Sequence, residues 1–112
     1  MTNTAIFSTS SISPQSAFFG GIIAQEIVKF TGKYSPLKQW LFYDIFEAIP
    51  EGEVDRTPQN SRYDDQIKIF GKDIQEKLGN IKTFMVGAGA LGCEFIKAFS
   101  LMGVGCGPEG KV

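Results

Sequence analysis

The feature that most restricts how this chain can fold is a glycine pattern, Gly87-Ala88-Gly89-Ala90-Leu91-Gly92, set between an apolar run and an amphipathic one. Ile81 to Val86 is predicted as a buried strand. Leu91, Phe95, Ala98, Phe99 and Met102 recur at helical spacing and predict a helix that ends at Gly103. A Gly-x-Gly-x-x-Gly pattern between strand and helix has a mechanical meaning. The first glycine allows the tight turn out of the strand, the second lets a ligand approach the backbone, and the third lets the helix pack closely. Unpaired N–H groups at the helix start then face outward, and the helix dipole favours an anion there. Gly87, Ala88, Gly89, Ala90, Leu91 and Gly92 are therefore the candidate nucleotide-binding residues. The plainer alternative is a tight corner with no ligand. The turn alone also does not separate ATP from a dinucleotide, because the acidic residue that grips a ribose is expected about 20 positions on. Glu109 lies near that distance, but Pro108 and Gly110 place it in a turn, so the deciding residue is expected beyond Val112.

Upstream, Ser13-Pro14 resembles a helix start. Phe18, Phe19, Ile22, Ile23, Ile27 and Val28 continue at helical spacing, which predicts a largely buried helix stopped by Thr31-Gly32 and Pro36. The Gly20-Gly21 pair inside it lowers helix propensity, so a close backbone contact is expected there. Gln39 to Asp44 is aromatic with apolar residues on both faces, as in a strand covered on two sides. Tyr63, Ile67 and Phe70, then Ile74 and Leu78 beyond Gly71, predict two short helices.

These elements give a domain expectation. Residues 1–12 form a flexible Ser/Thr-rich lead-in, residues 13–49 a helix–strand piece, and residues 50–60 (PEGEVDRTPQN) a linker. Residues 61–112 hold a strand, glycine turn and helix, with Lys111-Val112 beginning a further strand. The fold class is α/β, an incomplete Rossmann-like arrangement, since a βαβ unit needs its second strand and a parallel sheet needs both faces covered.

Composition removes several functions. The 112 residues carry 43% hydrophobic and 21% charged residues with a net charge of −1, which offers no basic field for a nucleic-acid backbone. The longest apolar stretch, Ala17 to Val28, is interrupted by Gln25 and Glu26 and falls short of a membrane span. The first residues lack a secretory pattern, so an intracellular, reducing setting in the cytoplasm and/or nucleus is expected. Without histidine, and with only Cys93 and Cys106, the chain offers no Ser-His-Asp or Cys-His machinery and no zinc site. Cys93 is expected to be a buried packing thiol, and Trp40 a core residue rather than part of a ligand cage.

Three blocks resemble ubiquitin-activating enzymes, in family order. AFFGGIIAQEIVKFTGKYSPLKQWLFYD is similar to the end of the inactive adenylation half, NSRYDDQIKIFG to the opening helix of the active half, and NIKTFMVGAGALGCEFIKAFSLMGVGCGPEGKV to its nucleotide-binding start. The resemblance implies a large enzyme with two Rossmann-like halves, one of which binds ATP and magnesium. That enzyme adenylates the C-terminal carboxylate of ubiquitin or a ubiquitin-like protein. It then carries the acyl group as a cysteine thioester and passes it to a conjugating enzyme. It also implies that Gly87 to Gly92 form the phosphate-facing loop. The family's acidic ribose and magnesium contacts, catalytic arginine and lysine, and thioester cysteine fall downstream of these blocks, so the chain is expected to be inactive alone. In related enzymes the opening helix often reads R-Y-x-R-Q, whose second arginine reaches across to the partner half's nucleotide. Here Arg62-Tyr63-Asp64-Asp65-Gln66 places Asp65 there, which removes that contact from this copy. A dinucleotide-binding dehydrogenase piece and a non-enzymatic remnant remain the alternatives.

Overall fold

Helical spacing and glycine punctuation account for the elements that form. The computed structural model describes residues 7–112, and among them the α-helices are α1 (Ser13–Lys29), α2 (Asp64–Phe70), α3 (Lys72–Gly79) and α4 (Ala90–Met102), with a single 3-10 turn at Phe46–Ala48. Pro14 sits in the first turn of α1, where its missing N–H costs no helical bond. The helix stops where Gly32 N–H donates to the Lys29 carbonyl at 3.0 Å. The two predicted short helices are present and meet at Gly71. This residue has φ +88° and ψ 163°, a region essentially reserved for glycine. A side chain there would also collide with Val54, so the corner between α2 and α3 is specified twice.

The core lies around this corner. Ile67 is 2% exposed, and Ile12, Ile69 and Val104 are buried as well. Segments flanking α2 and α3 are tied to them by hydrogen bonds. Lys72 N–H donates to the Asp55 carbonyl at 2.9 Å, Ser11 N–H donates to Asp65 Oδ2 at 2.9 Å, and Lys68 Nζ donates to Thr9 Oγ1 at 2.9 Å. Thus the described end of the expected lead-in is anchored on α2, while residues 1–6 lie outside the described residues. The 50–60 segment has no regular structure, as its composition suggests, but rests on the α2–α3 corner.

Past α4 the chain folds back onto the end of α3. Gly105 N–H donates to the Leu78 carbonyl at 3.0 Å and Gly107 N–H to the Gly79 carbonyl at 2.8 Å, satisfying acceptors that a helix end leaves free. This return brings Lys111 beside Lys82 in a parallel bridge. Thr83 N–H donates to the Lys111 carbonyl at 2.8 Å, and Lys111 N–H donates to the Ile81 carbonyl at 3.2 Å. The bridge is the start of a parallel pairing across α4, the connectivity of a βαβ unit.

Several expectations are corrected. Among the described residues there is no β-strand. Ile81 to Val86 is extended but unpaired beyond the bridge, and Phe84 is 91% exposed. Gln39 to Asp44 is irregular, with Trp40 89% exposed rather than in a core. Both segments have strand composition, but a strand exists only when another backbone pairs with it. Tyr43 instead ties its segment to α1, stacking on Phe18 at 4.2 Å and meeting Phe19 edge-on at 5.3 Å. No residue of α1 is fully buried, and Gly20 and Gly21 have open space beside them, so no close contact explains that pair. The chain exposes 8738 Å², against about 6,100 Å² for a compact 12.3 kDa monomer. Large apolar side chains of α1, α4 and the two irregular segments are among the exposed ones.

Candidate functional site

The glycine turn combines one unusual backbone conformation with one very close approach. Gly87 has φ +92°, which turns the chain sharply out of the extended segment at a value that side chains strongly disfavour. Gly89 is the N-cap of α4 in an extended conformation, and a Cβ built on it would meet nothing within 4 Å. Gly92, one turn into the helix, is the tight point. A Cβ there would overlap the Gly87 carbonyl oxygen and lie 3.2 Å from its carbon, with Met85 Sδ at 3.8 Å. The turn therefore closes against its own helix at Gly92 and stays open at Gly89.

Ala90, Leu91 and Gly92 start the helix, so their N–H groups have no acceptor one turn back, and Gly89 has no side chain with which to cap them. The first turn of α4 contains no acidic residue that would oppose an anion. Gly87, Ala88, Gly89, Ala90 and Leu91 are all exposed, whereas Gly92 is buried. Leu91 was expected on the packed face of α4 but is 75% exposed. A phosphate fits this arrangement by its chemistry, approaching backbone N–H groups at a helix start beside an open glycine. For magnesium, no group of three or more Asp, Glu, His or Cys side chains with metal-binding geometry occurs among the described residues. These residues thus fit the phosphate portion of a nucleotide and provide no identified ligand set for the metal.

The remaining sequence candidates are placed as follows. Cys93 is exposed, which corrects the expectation of a buried thiol; its Sγ donates to the Ala88 carbonyl at 3.3 Å and buttresses the turn. Cys106 is exposed at the other end of α4, with Sγ donating to the Gly103 carbonyl at 3.0 Å. Arg62 lies over the Tyr63 ring, 5.6 Å from its centre. Asp65 accepts the Ser11 N–H and so has a local structural partner. Glu109 N–H donates to Asn80 Oδ1 at 3.3 Å within the return loop. Near that loop, Tyr63, Gln75, Asn80, Cys106 and Pro108 border a cavity of about 420 Å³.

Asp64 organises the entry to α2. Its Oδ1 accepts Gln59 N–H at 3.0 Å, Ser61 N–H at 3.2 Å and the Ser61 hydroxyl at 3.2 Å. Desolvation pushes its carboxyl upward, but the bonds from Gln59, Ser61 and Asn60 outweigh that and hold it below the ordinary value of 3.8. Glu26 is held low first by the Lys29 ammonium and then by Leu37 N–H, which donates at 2.9 Å and folds the segment after α1 back on the helix.

Sequence reasoning missed two features at and beyond the far end of α4. Gln66 and Gln75 meet at the carbonyl of Met102, and the glycines at 105, 107 and 110 allow close backbone approach within the return loop. Glycine density after residue 102 signalled the second feature. Nothing local signalled the first, since it joins residues far apart in sequence.

Residues 63–106 match the ThiF family, spanning the α2–α3 corner, the glycine turn and α4. That family match implies a Rossmann-like α/β fold, of which this structure shows the turn, the crossover helix and the first parallel bridge. Over most of its length the chain is similar to proteins named as ubiquitin-activating enzymes. It is 45% identical to "Ubiquitin-like modifier-activating enzyme 1" of Oryctolagus cuniculus over 98% of this chain and 11% of that relative. It is 52% identical to "Ubiquitin-activating enzyme E1 1" of Candida albicans (strain WO-1) over 86% of this chain and 10% of the relative. It is 48% identical to "Ubiquitin-activating enzyme E1 2" of Arabidopsis thaliana over 96% of this chain and 10% of the relative. The chain thus spans about a tenth of the length of these curated relatives.

Proposed function

We propose that this chain supplies the phosphate-facing loop of an ATP-dependent enzyme that activates ubiquitin or a ubiquitin-like protein by adenylating its C-terminal carboxylate. The observation that carries the reading is the turn itself: Gly87 at φ +92°, Gly92 closed on the Gly87 carbonyl, and Gly89 open beside the first N–H groups of α4. Gly87, Ala88, Gly89, Ala90, Leu91 and Gly92 hold nucleotide phosphate through backbone N–H groups and exclude side-chain bulk from its path. A carboxylate is a poor acyl donor, and ATP with magnesium converts it into an acyl adenylate with a good leaving group. The part assigned to this chain is binding and orientation.

In this reading, residues 13–49 end an inactive adenylation half after the lead-in of residues 1–12. Residues 50–60 connect the halves, and residues 61–112 open the active half. The relatives' lengths and names support a larger enzyme that activates ubiquitin or a ubiquitin-like protein; in this reading it acts with conjugating enzymes in the cytoplasm and/or nucleus. They favour this reading over a dinucleotide-binding one. Among the described residues no helix is long and apolar enough to cross a membrane.

The remaining acid, base and thioester chemistry is assigned to parts of the enzyme outside these 112 residues. The isolated chain is therefore expected to show no ubiquitin-dependent exchange between pyrophosphate and ATP. Appreciable exchange by the chain alone would overturn the division of labour proposed here.

A further inference from the structure

We propose that Gln66 and Gln75 are positioning residues that grip the far end of α4 and thereby set where its glycine turn is presented; this rests on the reading of that turn as a phosphate loop. Gln66 lies on α2 and is 6% exposed, a buried carboxamide beside Ile67 and Ile69. Its Nε2 donates to Gln75 Oε1 at 2.6 Å and to the Met102 carbonyl at 3.0 Å. Gln75, on α3, donates from its own Nε2 to the same carbonyl at 3.0 Å. Both N–H groups of Gln66 are thus used, and Met102 accepts one bond for each of its carbonyl lone pairs.

Met102 is the last residue of α4, where a helix leaves its carbonyls without internal partners. An ordinary cap would come from the following residues. Here the donors come from two other helices, whose mutual angle is fixed by the glycine corner at residue 71. The clamp therefore transmits the geometry of the α2–α3 corner to α4. Leverage makes this matter at the other end. A helix of 13 residues is about 20 Å long, so a tilt of about 10° at the clamp displaces the opposite end by about 3 Å. Hydrogen bonds to a phosphate tolerate only a few tenths of an ångström. The contacts at the turn end join it to α4 itself, through Gly92 against Gly87 and Cys93 against Ala88. They hold the turn to its helix and leave the placement of the helix to other contacts.

The test is amide hydrogen exchange across α4 in the full chain, comparing Gln75→Glu with the unmodified protein at several pH values. At neutral pH the introduced carboxylate cannot donate and repels the Met102 oxygen. Exchange is expected to rise on the order of tenfold both at Gly103–Cys106 and at the turn end of α4 from Cys93, whose N–H donates to the Gly89 carbonyl at 2.9 Å, as loss of one or two net hydrogen bonds allows. Acidification through the carboxylate range restores a donor, so the ratio of variant to unmodified rates should fall back toward one. Ile67→Val serves as the control, because it loosens the core while leaving both amides in place. Three results would overturn the proposal: a rise confined to the Gly103 end, a ratio that does not respond to pH, or a pattern matching Ile67→Val. An unmodified chain with no protection at Gly103–Cys106 would do so as well. Failure of the phosphate reading registers separately, as equal ATP binding by the assembled enzyme with and without Gly89→Ala.

Discussion

Gly92→Ala sets two physical effects against each other. Replacing a helical glycine by alanine ordinarily gains up to about 1 kcal/mol, because alanine loses less backbone freedom. At residue 92 the new methyl would overlap the Gly87 carbonyl oxygen and come 3.2 Å from its carbon. Neither is the end of a flexible side chain, so the whole turn must move away from α4. Overpacking of this kind costs about 1–3 kcal/mol, and with the propensity gain subtracted a net loss of about 1 kcal/mol remains. Hydrogen exchange of the α4 amides reads this without requiring a cooperative melt. The expected change is roughly fivefold faster exchange at Cys93, whose N–H donates to the Gly89 carbonyl, and at the amides that follow it in α4. Gly89→Ala is the paired control, since its methyl enters open space at φ −74°; it should alter exchange less than Gly92→Ala while weakening nucleotide binding in the assembled enzyme. If Gly92→Ala slowed exchange, propensity would have prevailed and the close approach of turn and helix would be refuted.

Gly71→Ala should be more damaging than Gly92→Ala, because φ +88° and the collision with Val54 act together; faster exchange throughout α2 and α3 is expected, and unchanged exchange would contradict the corner described here. Asp64 has a lowered folded-state carboxyl value, so its stabilisation of α2 is full above the ordinary 3.8 and is lost as pH falls through the lowered value. Accordingly, Asp64→Asn should reduce α2 protection at neutral pH, with the difference from the unmodified chain shrinking on acidification; a difference that grows with acid would refute the assignment. The exposed aromatic and aliphatic surface around Trp40, Phe42, Phe84 and Val86 predicts weak stability and binding of an apolar dye by the isolated chain. A sharp two-state melt of a monomer that binds no dye would count against that.

Helices were legible in the sequence because their signals are local. The periodic Ile67, Phe70, Ile74 and Leu78 with a glycine between them gave α2, a corner and α3, and Gly103 marked the end of α4. The glycine turn was legible for the same reason: the sharp bend at Gly87 and the close packing at Gly92 are as expected, and Gly89 stands open. Strands were not. Gln39 to Asp44 and Ile81 to Val86 have the composition of covered strands, yet pairing and coverage depend on other backbone, and among the described residues the one bridge formed by these segments is that of Lys82 with Lys111. The exposure of Cys93 follows from which side of α4 is covered, and helical periodicity does not contain that information. The Gln66–Gln75 clamp was invisible because two ordinary polar residues acquire meaning only when a third segment delivers Met102 between them.

The most direct test of the central claim replaces the matching tenth of the Candida albicans relative with this chain and measures ubiquitin-dependent pyrophosphate exchange. The account predicts that the chimera is active and that Gly89→Val, which fills the open face of the turn, abolishes exchange while the protein remains folded. A folded chimera whose exchange is unaffected by Gly89→Val would contradict the assignment of this turn to ATP phosphate.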